Sequence, residues 1–296
     1  MKLEQRLEQL KAFWPDLVWS DARLEECDHD VVILDDIWVF RFACKVADHE
    51  PLRPEIAILE RLRDQIGLAV PHYTHIAPNH EVAGYAYLKG ASFDADSWEK
   101  FDSRTKKKAA TDLAQMLNVV HGFSLGAARS LGIGKGKGLW PRWRKDLRNI
   151  PRLSGGVLTT DELAYCEQVA SELLSLKTRA LHTERVLIQG DMYLEHILLD
   201  DNGLCGVIDW GDICIADPAV DLIYFYCMGE GFFDDFLSRY DYASEGLKRR
   251  TYWLWLRCAI SSMRNAARSK DRQLWRRGYE IFPKDVADPK RIDGFW

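Results

Sequence analysis

Apolar positions change their spacing several times along the chain, and each change marks an element. Leu3, Leu7, Leu10 and Phe13 recur at helical spacing, so the first residues predict an amphipathic helix that ends near Trp14-Pro15. Between 22 and 42 the apolar runs shorten to ARLEECD, DVVILDD and IWVFRF, divided by Asp-rich turns, a pattern that predicts a small antiparallel meander. A helix follows, with Pro54 at its start and Ile56, Leu59 and Leu62 at helical spacing. Beyond Val70-Pro71 further strand-like residues end in GYAYLKG, 84–90. After that the pattern turns mostly helical, over 96–122, 160–177, 219–228, 232–239 and 245–267, interrupted by short apolar strands at 186–188, 197–200 and 205–208. The change near 88–90 predicts a lobe boundary: a β-rich unit over 1–88 and a larger helical one over 89–296, with no internal repeat.

Composition narrows the function classes. With 296 residues, 47% of them hydrophobic, the chain can bury a sizeable core, and two lobes suit that length. A net charge of -5 gives no global reason for nucleic-acid binding, although basic stretches occur around Lys106 and Arg249. Seven cysteines are scattered without a CxxC pair, which argues against a disulfide framework and a thiolate zinc site. The opening MKLEQRLEQLKAF is charged and periodic rather than signal-like, and no run approaches the roughly 20 apolar residues of a membrane span. A cytoplasmic protein without a membrane partner is therefore expected. Eleven tryptophans suit either an aromatic core or a broad apolar ligand site. LGIGKGKGLW, with glycines at 132, 134, 136 and 138, reads either as a backbone cradle for phosphate or as a mobile connector between helices.

The segment VLIQGDMYLEHILLDD, 186–201, carries the chemistry. Asp191 follows an apolar strand in a Gly-Asp break, His196 leads the next strand, and Asp209 ends a third in VIDWGD. If neighbouring strands pair as hairpins, their ends meet and the three side chains face one pocket. Two carboxylates and an imidazole suit a hard divalent cation plus a free base.

In order and spacing, QGDMYLEH, IDWGD and DPAVDL resemble the protein-kinase-like small-molecule kinases of the aminoglycoside phosphotransferase superfamily. That family's usual form is His-Gly-Asp-x-x-x-x-Asn, then Ile-Asp-Trp and Asp-Pro-x-x-Asp-Leu. Gln189 stands here for the leading histidine and His196 for the asparagine, the latter similar to the macrolide 2'-phosphotransferase branch and found also near the aminoglycoside 2''-phosphotransferases. The resemblance implies an α+β, bilobal protein-kinase-like fold, with a small β-rich N-lobe and a larger mostly helical C-lobe. It further implies transfer of the γ-phosphoryl group of ATP or GTP, with Mg²⁺, to a hydroxyl of a small molecule, and a protein expected to act as a monomer. Asp191 would then receive the acceptor's proton, and His196 and Asp209 would hold the metal. Gln189, Asp217 and Asp221 would support the loop.

By the same resemblance, Arg41 in the third strand and Glu55 in the next helix would form the cation–acid pair that meets the phosphates, with Lys45 as the rival cation. Ala86, Tyr87 and Leu88 would form the hinge, where backbone groups hold a purine, with Tyr85 behind them. The turn EECDHDVVI, where phosphates would be covered, holds no glycine. For the acceptor, GEGFFDDFLSRYDYASEG offers acids such as Glu230 and Asp234, suited to an aminoglycoside, and aromatics such as Phe233 and Tyr240, suited to a macrolide. The same segment also fits a helix with an apolar core face and a solvated acidic one. His196 and the many aromatics tilt the expectation toward a macrolide antibiotic, with an aminoglycoside or a metabolic hydroxyl compound as alternatives. A nucleotide-binding pseudokinase and a metal-dependent hydrolase remain readings from other classes.

Overall fold

The computed structural model describes residues 2–26, 30–43, 52–136, 146, 148–175, 185–229, 231–244, 246–283 and 286–292. Helix α1 (Lys2–Phe13) precedes a five-stranded antiparallel sheet of order β1-β2-β3-β5-β4. Its strands are β1 (Ala22–Glu26), β2 (Asp30–Leu34), β3 (Trp38–Phe42), β4 (Tyr73–Ile76) and β5 (Val82–Ala86). Asp35 and Asp36 both adopt left-handed φ in the β2–β3 turn, where a short aspartate tolerates that backbone and matches the twist of the strands it joins.

Alternation along the strands gives this sheet two buried faces. Val32, Leu34, Phe40, Phe42 and Val82 pack with Leu10 of α1, while Ile33, Val39, Ala83 and Tyr85 pack with helix α2 (Leu52–Leu62) and the main core. Arg41 shares the inner face with Val39. On α2 the buried positions are Leu52, Glu55, Ile58, Leu59 and Leu62, so helical period aims Glu55 at that face. Ile58, rather than the expected Ile56, completes the stripe. Pro54 sits in the first turn, where a missing N–H costs no intrahelical bond.

The remainder is mostly helical: α3 (Ala95–Glu99), α4 (Ser103–His121), α5 (Leu125–Ser130), α6 (Ile150–Ser154), α7 (Thr160–Ser175), α8 (Phe232–Leu237), α9 (Leu247–Ser269) and α10 (Arg272–Tyr279). The single helix expected over 96–122 is two, because Asp102 turns extended and its carboxylate caps the Thr105 N–H at 2.7 Å. The helix expected over 219–228 is two 3₁₀ segments, Pro218–Val220 and Ile223–Met228. Two small sheets lie among these helices. One pairs β6 (Ala91–Ser92), β8 (Ile197–Asp200) and β9 (Gly203–Val207); the other pairs β7 (Val186–Ile188) with β10 (Cys214–Ala216). Thus β7 is not the hairpin partner of β8, as the spacing led one to expect; β8 pairs with β9, and β7 with a strand the sequence reading passed over. The expected mobile connector is bonded where it is described: Ile215 donates to the Gly134 carbonyl, and Gly136 donates back to Ile215.

Candidate active site

The loop between β7 and β8 is shaped by its glycine. Gly190 has φ +94, and a Cβ there would lie 2.3 Å from the Asp212 carbonyl oxygen, so any side chain would force the two segments apart. Met192, 2% exposed, pins the loop to the core, and a 3₁₀ turn over Leu194–His196 delivers His196 to the start of β8. The Ile208 N–H then donates to the His196 carbonyl at 2.9 Å, which sets the end of β9 beside the start of β8. Trp210 is fully buried, its indole N–H on the Val207 carbonyl, while Asp209 before it has a left-handed φ of 55 and a partly exposed side chain.

Asp191, His196 and Asp209 therefore meet, each offering one ligand atom within 4.8 Å of the others. His196 Nδ1 lies 2.8 Å from the Asp191 carbonyl oxygen, which can only accept, so this nitrogen carries the proton. Nε2 lies 3.7 Å from Asp209 Oδ2. An imidazole oriented in this way, beside two carboxylates, has the donor set for a divalent cation.

The two carboxylates titrate in opposite directions. Burial pushes Asp191 up to about 6; His196 opposes this, while Asp212, Asp209 and Glu195 add to it. Burial acts the same way on Asp209, but Arg41 and His196 outweigh it, with the Gly211 N–H assisting, and hold it below the usual range. Neighbouring acids driven apart like this divide into a proton acceptor and a standing anion.

Arg41 links the sheet to this cluster. One guanidinium nitrogen lies 3.0 Å from Glu55 Oε1 and the other 3.0 Å from Asp209 Oδ1. Arg41 and Glu55 are nearly inaccessible, so this is a buried pair rather than a surface one, and the Tyr73 hydroxyl donates to the same Glu55 oxygen at 2.7 Å. Arg41 Nε and Glu55 Oε2 are buried without a hydrogen-bond partner among the described residues. Lys45 and the turn at 27–29 lie outside those residues.

Of the supporting acids, Asp221 receives the backbone N–H groups of Gln189 and Gly190, both at 2.8 Å, so it braces the loop. Asp217 caps the following 3₁₀ turn at Ala219 and meets the fully buried Arg250 of α9 at 2.9 Å. Gln189 is buried between the Asp191 N–H and the Asp209 carbonyl. At the hinge, the Tyr87 N–H is committed to the Ile37 carbonyl at 2.7 Å.

The acceptor segment is where position and expectation part. Phe233 is 5% exposed inside the core, and Tyr240 is 4% exposed with its hydroxyl on His121 Nδ1, so neither presents a free surface. The aromatic area of this segment is spent on packing. Asp234 is exposed but pairs with Lys248 at 2.5 Å, and Glu230 lies outside the described residues. Sequence reasoning missed His121, whose Nε2 lies 3.0 Å from Asp221 Oδ2. Its signal was a polar residue on the buried stripe of α4, following Leu117 and Val120. It also missed Tyr193, an exposed tyrosine two residues after Asp191 whose ring lies 4.5 Å from that of Tyr224.

A model of the phosphotransferase enzyme family matches residues 24–257, most of the length, and the chain belongs to that family. It is 26% identical to the uncharacterized protein YcbJ of Bacillus subtilis, over 76% of each chain. Among solved structures it is similar to the GDP and kanamycin complex of APH(2")-IIia, at 21% identity and a TM-score of 0.76, covering 94% of this chain and 96% of that one. It is similar as well to the macrolide 2'-phosphotransferase MphH of Brachybacterium faecium, at 20% identity and a TM-score of 0.63, covering 96% and 98%. The fold is the bilobal one those structures share. No helix among the described residues is long and apolar enough to cross a membrane.

Proposed function

We propose that the chain is a small-molecule kinase that moves the γ-phosphoryl group of ATP or GTP to a hydroxyl of a small acceptor. The observation that carries this reading is the convergence of Asp191, His196 and Asp209, with Arg41 tying Asp209 to Glu55. Asp209 and His196 Nε2 would hold Mg²⁺, which when bound neutralises charge on the nucleotide's phosphates. Asp191, with its carboxyl near neutrality, accepts the acceptor's proton as the hydroxyl oxygen bonds to the γ-phosphorus and the nucleoside diphosphate leaves. The unpartnered Arg41 Nε is a donor that a phosphate oxygen would satisfy. Alternation along the strand, with the Tyr87 N–H committed to Ile37, leaves the backbones of Ala86 and Leu88 to meet the purine.

For the acceptor, a macrolide antibiotic remains our first choice, now supported by the exposed Tyr193 ring and its partner Tyr224 beside Asp191 rather than by Phe233 and Tyr240. An aminoglycoside is the second, because Glu195, Asp209 and Asp212 make the approach to Asp191 acidic. A protein with this donor would work in the cytoplasm. The test is incubation with Mg²⁺, ATP or GTP and a panel of macrolides, aminoglycosides and amino alcohols, with products read by mass spectrometry. A phosphate ester from one of them, absent with Asp191→Ala, supports the reading. A nucleotide-induced thermal shift without product from any acceptor replaces it with a pseudokinase.

A further inference from the structure

Gln189 is placed to do more than fill space. Its backbone N–H and both polar atoms of its side chain are engaged: the N–H goes to Asp221 Oδ2 at 2.8 Å, Oε1 accepts the Asp191 N–H at 2.7 Å, and Nε2 donates to the Asp209 carbonyl oxygen. The residue is fully buried. The two segments it touches come from different sheets: Asp191 follows β7, which pairs with β10, whereas Asp209 follows β9, which pairs with β8. One side chain thus spans two units whose relative position no single ladder sets. The Asp209 end is also the strained one, a non-glycine residue at φ 55 whose carbonyl the Gln189 amide holds.

We propose that the Gln189 carboxamide is a positioning residue for the reaction, fixing the distance between the Asp191 and Asp209 side chains by gripping both backbones. A neutral amide suits the task because it offers an acceptor to an N–H and a donor to a carbonyl at once. Ionised glutamate keeps the acceptor and loses the donor; methionine matches the length and loses both; neutral histidine keeps one of each on a rigid ring. The residue touches neither nucleotide nor acceptor, so its effect falls on turnover rather than binding. This inference rests on the kinase reading, and the experiment separates the two.

Gln189→Met, Gln189→Glu and Gln189→His are compared with wild type in two assays. The first is steady-state turnover, measured with an acceptor and also as nucleotide hydrolysis to water, which needs none. The second is hydrogen exchange of the peptides over 188–193 and 207–212, with α4 as internal reference. In Gln189→Met, kcat is expected to fall about 10- to 100-fold, as when residues orienting catalytic ligands are lost, while the nucleotide KM changes by less than about threefold. Both peptides exchange faster together, and α4 does not. Gln189→Glu loosens the 207–212 peptide more than the other, and Gln189→His recovers part of the kcat. Unchanged exchange in Gln189→Met overturns the proposal, as does faster exchange with kcat intact. If Gln189→Met does not fold, the Glu and His variants decide: equal kcat in these two overturns it. A wild type without turnover in either assay refutes the kinase reading instead, and with it the positioning role, while the exchange data still show whether the clamp exists.

Discussion

Removing Glu55 separates what the Arg41 pair does for stability from what it does for activity. In Glu55→Ala the guanidinium, 4% exposed, loses a partner at 3.0 Å, and the buried Tyr73 hydroxyl loses its acceptor. Breaking a buried ion pair by deleting one member costs about 3–5 kcal/mol, because the surviving charge stays out of water. Asp209 still faces Arg41 at 3.0 Å and is partly solvated, so the lower end applies, about 3 kcal/mol. For a chain of this size that lowers Tm by roughly 6–12 °C. The double variant Arg41→Met with Glu55→Gln removes the charge and keeps an acceptor for Tyr73, so it recovers most of the lost stability. It does not recover turnover, since the Arg41 guanidinium that would meet phosphate is gone. Calorimetry and a nucleotide-turnover assay on the three proteins check both halves. A Glu55→Ala variant less than about 1 kcal/mol below wild type, or a double variant with wild-type turnover, would refute the reasoning.

Other outcomes follow from single positions. Asp191→Asn keeps the shape of the loop and lowers kcat about 10²- to 10⁴-fold with a small change in Tm, checked by steady-state kinetics beside calorimetry. Gly190→Ala pushes a methyl against the Asp212 carbonyl in a backbone region that alanine disfavours, and loses about 1–3 kcal/mol together with turnover, read in denaturant melts and rates. Asp30 is raised by burial, but its bonds from Lys2 and Arg6 prevail and hold it below 3.8. The folded carboxyl is thus the stronger acid, and its contribution is present above that value and lost as pH falls through the folded pKa. Asp30→Asn therefore costs about 1–3 kcal/mol at neutral pH, and the gap to wild type narrows below pH ~4 in denaturation curves taken across that range.

Much of this was legible because local periodicity and spacing are written directly in the chain. The family resemblance named Arg41 and Glu55 as a pair, and two-residue alternation along β3 together with the helical period of α2 then turns both toward the core. The spacing of QGDMYLEH and IDWGD carried the active-site cluster and the family. What remained hidden is set by long-range geometry. Nothing local told β7 to pair with β10 across the β8–β9 hairpin, or gave Arg41 a second bond to Asp209. The break at Asp102 depended on one capping carboxylate inside an otherwise continuous helical pattern. The acid and aromatic residues of 230–245 fitted a pocket wall and a core helix equally well, and burial chose the core for Phe233 and Tyr240. His121 looked like one more helix residue until Asp221 and Tyr240 closed on it from distant segments.

The fate of the γ-phosphate tests the central claim most directly. Phosphorus NMR of wild type and Asp191→Asn, each with Mg²⁺, nucleoside triphosphate and the acceptor panel, follows that one atom through the reaction. The account predicts that with one acceptor the γ signal of the wild-type sample passes into a phosphate monoester in step with nucleoside diphosphate, and that the variant leaves it in place. A signal that passes only into inorganic phosphate with every acceptor, or an ester formed equally fast by Asp191→Asn, would contradict it.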